Sequence, residues 1–202
     1  MTKTLTHDEV LELDRFAVDV ALLQGLWTEA QYLRLSTATN RLLEYVDGTI
    51  EVVPMPTEYH QGIVGKLYVL LLAYLSARGG KVFFSPLRLR TAGGRFREPD
   101  LLAVRSSSDP RRANDYWRGA DLVIEVISPD DPQRDTVQKR TEYARSAITE
   151  YWIIDPRDET ILVLALAEDA YTEYGHFGRG GVATSPGFEG LLVPVDHVFD
   201  AH

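Results

Sequence analysis

The chain contains no cysteine. That absence removes disulfides, thiolate zinc sites and cysteine nucleophiles together, and it allows a reducing compartment, so the cytoplasm is the expected location. Long apolar runs are missing too. The longest such stretch, Ile63 to Leu75, is broken by Gly65 and Lys66 and is too short and too polar to span a bilayer, so it reads as a core helix and no membrane partner is expected. Residues 1–25 carry Asp8, Glu9, Glu12, Asp14 and Asp19 among their apolar positions, which a secretory signal peptide would not tolerate. The five histidines, His7, His60, His176, His197 and His202, lack the close spacings of a zinc hydrolase. Gly178-Arg179-Gly180-Gly181 lacks the Lys-Ser or Lys-Thr of a phosphate cradle and reads as a turn, and Ser36, Ser128 and Ser185 lack the setting of a nucleophile elbow. Positive charge is also short. A net charge of −9 weighs against a protein that coats nucleic acid by bulk attraction.

What is present suits one ordinary core. With 202 residues, 45% hydrophobic and 25% charged, the chain reads as a main domain over 27–202 with an N-terminal helical extension over 1–26. Thr6 caps a helix over Asp8–Gln24, and a second short helix starts at Thr28 and covers Glu29–Leu35. Asp47-Gly48 joins Arg41–Val46 to Thr49–Val53 as a hairpin. Thr57 caps a long helix over Glu58–Ala77 that ends at Gly79-Gly80, with Tyr68, Leu71, Leu72 and Leu75 as its core stripe. Lys81–Arg90 is strand-rich around Pro86, and Gly93-Gly94 turns the chain before Phe96. Arg105–Ala120 reads as a polar surface loop. Asp121–Ile127 has the near-continuous apolar character of a central strand covered on both faces, ending at Ser128-Pro129-Asp130-Asp131-Pro132. Arg134–Ser146 is helical. Tyr151–Ile154, Thr160–Ala167 and Tyr171–His176 are strands, and Leu191–Phe199 gives a last strand and a helical turn. The class is α+β with a mixed central sheet.

The chemistry concentrates between Arg97 and Asp155. Asp100 stands at the head of one short strand, after Arg97-Glu98-Pro99, and Glu125 lies inside the next. Two carboxylates directed at one spot repel each other, and a divalent cation relieves that repulsion. A glutamate inside an apolar strand is expensive unless a cation or several donors meet it, so Glu125 is a functional candidate on cost, the alternative being a buried pair with an arginine. Asp135, Lys139 and Tyr143 share one helix face at i, i+4 and i+8. Either Asp135 and Lys139 make a routine surface pair, or Lys139 points back toward Glu125. Between Lys81 and Arg118 nine bases stand against four acids, which a phosphate ligand would favour, although arginines alternating on exposed strands give the same count.

Taken in order, Leu43-Glu44-Tyr45-Val46-Asp47-Gly48, His60, Arg97-Glu98-Pro99-Asp100, Glu125-Val126-Ile127-Ser128-Pro129, Lys139, Tyr143 and Glu150-Tyr151-Trp152-Ile153-Ile154-Asp155-Pro156 resemble a large bacterial family of restriction endonucleases within the PD-(D/E)XK nuclease superfamily. The resemblance runs from about Trp27 to Phe199. It implies a restriction-endonuclease-like fold, a mixed β-sheet flanked by helices, and a Mg²⁺- or Mn²⁺-dependent endonuclease acting on DNA as a homodimer. Asp100 and Glu125 would be metal ligands, joined by the carbonyl of Val126. The superfamily lysine belongs two residues after Glu125, where this chain has Ile127; Lys139 matches the position on the following helix that substitutes for it, assisting the attacking water. Glu44, His60 and Tyr143 are possible accessory residues. For Glu44 a solvent-facing strand position is the alternative, and for His60 a hydrogen-bonded core or capping role. A catalytically inactive nuclease-fold module serving DNA binding or protein assembly is the alternative function.

Overall fold

The computed structural model describes residues 20–128 and 133–201. Most of the helix expected over Asp8–Gln24, and residues 129–132 of the expected strand end, lie outside them. The chain forms two units, residues 1–53 and 54–202.

In the first unit Thr28 caps helix α1 (Glu29–Ala38) through a reciprocal box in which its side chain accepts from the Gln31 amide and the Gln31 side chain accepts from the Thr28 amide. The helix runs three residues past the expected Leu35. Ser36 and Thr37 do not break it, because both hydroxyls donate back to the Leu33 carbonyl. Strands β1 (Leu43–Val46) and β2 (Thr49–Val52) form the expected hairpin, and Asp47 and Gly48 both take positive φ, 48° and 83°. Those angles belong to a two-residue turn whose twist matches the strands. A Cβ on Gly48 would sit 2.7 Å from the Gly25 carbonyl oxygen. Gly48→Ala therefore combines left-handed strain with a backbone clash and is expected to cost at least about 1–2 kcal/mol. Faster amide exchange along β1 and β2 would register it; unchanged protection would show that the turn relaxes freely.

The second unit begins with helix α2 (Glu58–Ser76), whose cap Thr57 accepts from the His60 amide. Ile63, Val64, Leu67, Leu71 and Leu75 form its buried stripe. Tyr68 is only partly buried and Leu72 is 40% exposed, so the expected stripe is rotated toward Ile63 and Leu67. No helix among the described residues is long and apolar enough to cross a membrane. Then come β3 (Lys81–Phe84), β4 (Leu89–Arg90), β5 (Phe96–Arg97), β6 (Leu101–Val104) and β7 (Leu122–Val126). A π-helical stretch, Arg134–Lys139, continues into α3 (Arg140–Arg145). Strands β8 (Glu150–Asp155), β9 (Thr160–Ala167) and β10 (Ala170–Phe177) follow, then β11 (Val182–Thr184), β12 (Leu192–Pro194) and the short helix α4 (Val195–Phe199). Strand β11 has no counterpart in the sequence reading, being only three residues long beside a glycine-rich turn.

Six strands make a mixed sheet in the order β10-β9-β8-β7-β6-β3, with β7 antiparallel to β6 and parallel to β8. Alternation along these strands builds two cores. Leu101, Ala103, Leu122, Ile124, Val126, Trp152 and Ile154 pack with α2 and α4 on one face, while Leu102, Val104, Val123 and Tyr151 pack with Tyr143, Ala144, Ile148 and Trp117 on the other. β7 is thus covered on both faces, as its unbroken apolar pattern implies, and a carboxylate inside it has little access to water.

Candidate active site

Leu101 pairs with Ile124 across β6 and β7. One step further along that antiparallel register, Asp100, the residue before β6, comes opposite Glu125, whose side chain leaves β7 on the face covered by α3. Asp100 Oδ2 accepts from the Val126 amide at 2.8 Å, which fixes the aspartate against the end of β7. Glu125 Oε1 lies 2.9 Å from Lys139 Nζ and accepts from the Tyr143 hydroxyl at 2.6 Å. Lys139 also lies 3.1 Å from Asp135 Oδ1, and the Lys139, Glu125 and Asp135 side chains are 5–7% exposed. Lys139 therefore points back to Glu125 and also pairs with Asp135, but not as the surface pair considered for it. What differs is the setting, since the pair is buried.

The local backbone explains how the lysine gets there. Asp135 and Lys139 lie in the π-helical turn and Tyr143 one turn on in α3, with the Asp135 carbonyl accepting from the Tyr151 hydroxyl at 3.0 Å. A π turn is wider than an α turn, costs stability and recurs at functional sites. Tyr143 and Tyr151 meet edge to face at 5.1 Å, so the phenol that holds Glu125 is itself held.

His60, near the N-terminus of α2, reaches the other carboxylate, with Nε2 3.3 Å from Asp100 Oδ2. Burial disfavours its charged form, but the hydrogen bond and charge of Asp100, the Val126 carbonyl and the charge of Glu125 outweigh burial, so its pKa is raised above the ordinary histidine value. A raised folded-state pKa stabilises the fold fully below the unfolded-state value, and that contribution is lost as pH rises through the folded-state value. Proton NMR of metal-free protein should place the His60 midpoint above that of a free histidine and show it falling in Asp100→Asn; an unmoved midpoint in the variant would remove Asp100 as the cause.

Glu44 belongs to the first unit, buried on β1 opposite Glu51. It does not take the solvent-facing position considered for it. The sequence reading missed a buried ionic cluster beside the site. Arg97, two residues before Pro99, is 2% exposed and donates from Nε and Nη2 to Glu142, with Nη2 2.9 Å from Oε2; Arg95 and Thr91 meet the same carboxylate. Glu142 immediately precedes Tyr143, so this cluster ties β5 to the helix that carries the site's phenol. Arg97 is thus committed to a carboxylate rather than available to a phosphate. A buried arginine and a glutamate 45 residues away carry no common sequence signal.

The donor set suits a hard divalent cation: two carboxylates and the Val126 carbonyl, all oxygen, at the end of one strand pair. Among the described residues no three acidic or histidine side chains cluster tightly enough to hold a metal by themselves. Water and substrate oxygens would complete the sphere, which is usual for Mg²⁺.

A family profile described as "Uma2: Putative restriction endonuclease" matches residues 29–196. The crystal structure of a putative nuclease belonging to DUF820 from Anabaena variabilis ATCC 29413 superposes with a TM-score of 0.67 and 22% identity, over 84% of this chain and 97% of that one. The likeness is one of fold, a restriction-endonuclease-like mixed sheet with flanking helices. Comparison with curated proteins gives no match.

Proposed function

This chain belongs to the Uma2 family, and from that premise we propose that it is a divalent-metal-dependent endonuclease hydrolysing phosphodiester bonds of DNA. The observation that carries the reading is Lys139 Nζ, 2.9 Å from Glu125 although Ile127 stands where a neighbouring lysine would be expected. An acid pair and an ammonium converge without help from local sequence.

Asp100, Glu125 and the Val126 carbonyl would hold Mg²⁺ or Mn²⁺, which when bound supplies Lewis acidity toward a phosphate oxygen and acidifies water. The protein's own groups do the rest. Lys139, braced by Asp135, orients the attacking water and offsets charge developing on the phosphate. Tyr143 fixes the Glu125 carboxylate, and His60 and the Val126 amide fix Asp100. Cutting both strands of a duplex calls for two sites related by a twofold axis, so the working form is a homodimer.

One observation favours the inactive-module reading: Lys139 and Tyr143 already compensate Glu125, so burial cost alone no longer demands a metal. The discriminating assay is incubation with supercoiled, linear duplex and single-stranded DNA in Mg²⁺ or Mn²⁺, against an EDTA control. Metal-dependent cleavage that falls about a hundredfold or more in Lys139→Ala supports the enzyme. DNA left intact under every condition, by protein shown to be folded, leaves the binding or assembly module.

A further inference from the structure

The stretch between β6 and β7 lines an open cavity of about 460 Å³ against the edge strand β3. Its apolar wall contains Phe83, Leu87 and Trp117, and its polar side contains Asp109, Arg112 and Asn114. Phe83 and Trp117 meet edge to face at 5.5 Å, and Phe83 is 40% exposed, an open aromatic surface on a short edge strand. The Arg112 guanidinium lies 5.5 Å from the centre of the Trp117 ring and one of its terminal nitrogens donates to the Ser107 carbonyl, while its Nε is buried with no hydrogen-bond partner. The Asp109 carboxylate is engaged by Arg111 at 2.6 and 2.9 Å, and that guanidinium holds its pKa below the usual carboxylate range. It is thus a neutralised wall that does not repel an anionic chain.

The cavity lies on the sheet face from which Glu125 meets Tyr143. Phe83 pairs with Leu102, which points to the face covered by α3, and Asp100 lies two residues before Leu102, immediately ahead of β6. Two residues along a strand and one strand across put the Phe83 and Asp100 backbones about 8 Å apart. That is the scale of one nucleotide.

We propose that this cavity is a nucleobase subsite, taking an unstacked base next to the phosphate held at Asp100 and Glu125, its ring against Phe83 and Trp117 and its acceptor edge toward Arg112 and Asn114. The proposal rests on the nuclease reading. A base suits these walls because it alone among the parts of a nucleic acid combines a flat apolar face with a hydrogen-bonding rim, and proteins that take bases out of the stack grip them in this way. An aliphatic side chain would fill the apolar wall but leave the polar side formed by Arg112 and Asn114 without a partner.

The test measures binding, with no turnover needed. A fluorescein-labelled 12-nucleotide single-stranded DNA is titrated by anisotropy in Ca²⁺, its integrity checked on a gel, with an abasic residue moved through each position in turn. For wild type, one abasic position should weaken binding roughly 5- to 100-fold, the factor that one stacked base supplies. Phe83→Ala should weaken the intact oligonucleotide by a similar factor and then be indifferent to that abasic position, since variant and lesion remove the same contact. Asn114→Ala should reduce discrimination between bases at that position. No binding by wild type, or equal abasic penalties in wild type and Phe83→Ala at every position, would overturn the subsite. Protein that cuts DNA yet shows equal penalties loses only this proposal; protein that shows the base signature yet cuts nothing keeps it and loses catalysis.

Discussion

Wild-type protein titrated with Mn²⁺ in a calorimeter is expected to give a saturable binding heat that Asp100→Asn and Glu125→Gln each abolish, with cleavage falling about a thousandfold in either variant. The carboxylate-to-amide change is chosen because it removes charge while keeping shape. An asparagine at 100 can still accept from the Val126 amide, and a glutamine at 125 can still accept from Tyr143. Far-ultraviolet dichroism should therefore be unchanged. Losing several kcal/mol of charge stabilisation around a phosphate accounts for three orders of magnitude, since each 1.36 kcal/mol is tenfold. Lys139→Ala has the opposite sign for binding. It removes a cation 2.9 Å from Glu125, so Mn²⁺ should bind as tightly as in wild type or more tightly while cleavage drops. Mn²⁺ heat that survives in both carboxylate variants would falsify the two-acid site.

The largest effect on stability should come from Glu142→Ala. The Glu142 side chain is 2% exposed, and removing it takes a carboxylate from the Arg97 guanidinium, which is also 2% exposed. Breaking a buried ion pair by removing one member costs about 3–5 kcal/mol, and for a chain of this size that lowers Tm by roughly 10 °C. The local effect matters as much, because Thr91 and Arg95 converge on the same carboxylate and the next residue is Tyr143. Glu142→Gln should lose less, since its amide oxygen still accepts from Arg97. A Tm for Glu142→Ala within about 2 °C of wild type would show that water reaches Arg97 and that the cluster is not a buried pair.

The elements legible in the sequence were those whose signals are local. Thr28 and Thr57 cap their helices, Asp47-Gly48 makes its turn, and β7 is central because an apolar run with a single charge can be nothing else. The elements that were misjudged depend on neighbours. Leu72 has helical periodicity for the core, yet it stands 40% exposed. The Arg134–Ser146 segment has the pattern of an ordinary helix, because nothing in its composition announces a π turn.

The same division runs through the site. The amino-acid sequence by itself determined the candidates, two acids at strand positions where apolar neighbours make charge expensive, and a lysine and phenol at helical spacing. Tertiary structure decided their company. Antiparallel pairing of β6 with β7 brings Asp100 opposite Glu125, packing of α3 on that face brings Lys139 and Tyr143 onto one carboxylate oxygen, and His60 comes from the helix on the opposite face. Periodicity and capping are properties of a few consecutive residues and can be read from them, whereas a contact between segments far apart in the chain exists only when the whole sheet has chosen its order and each helix its face.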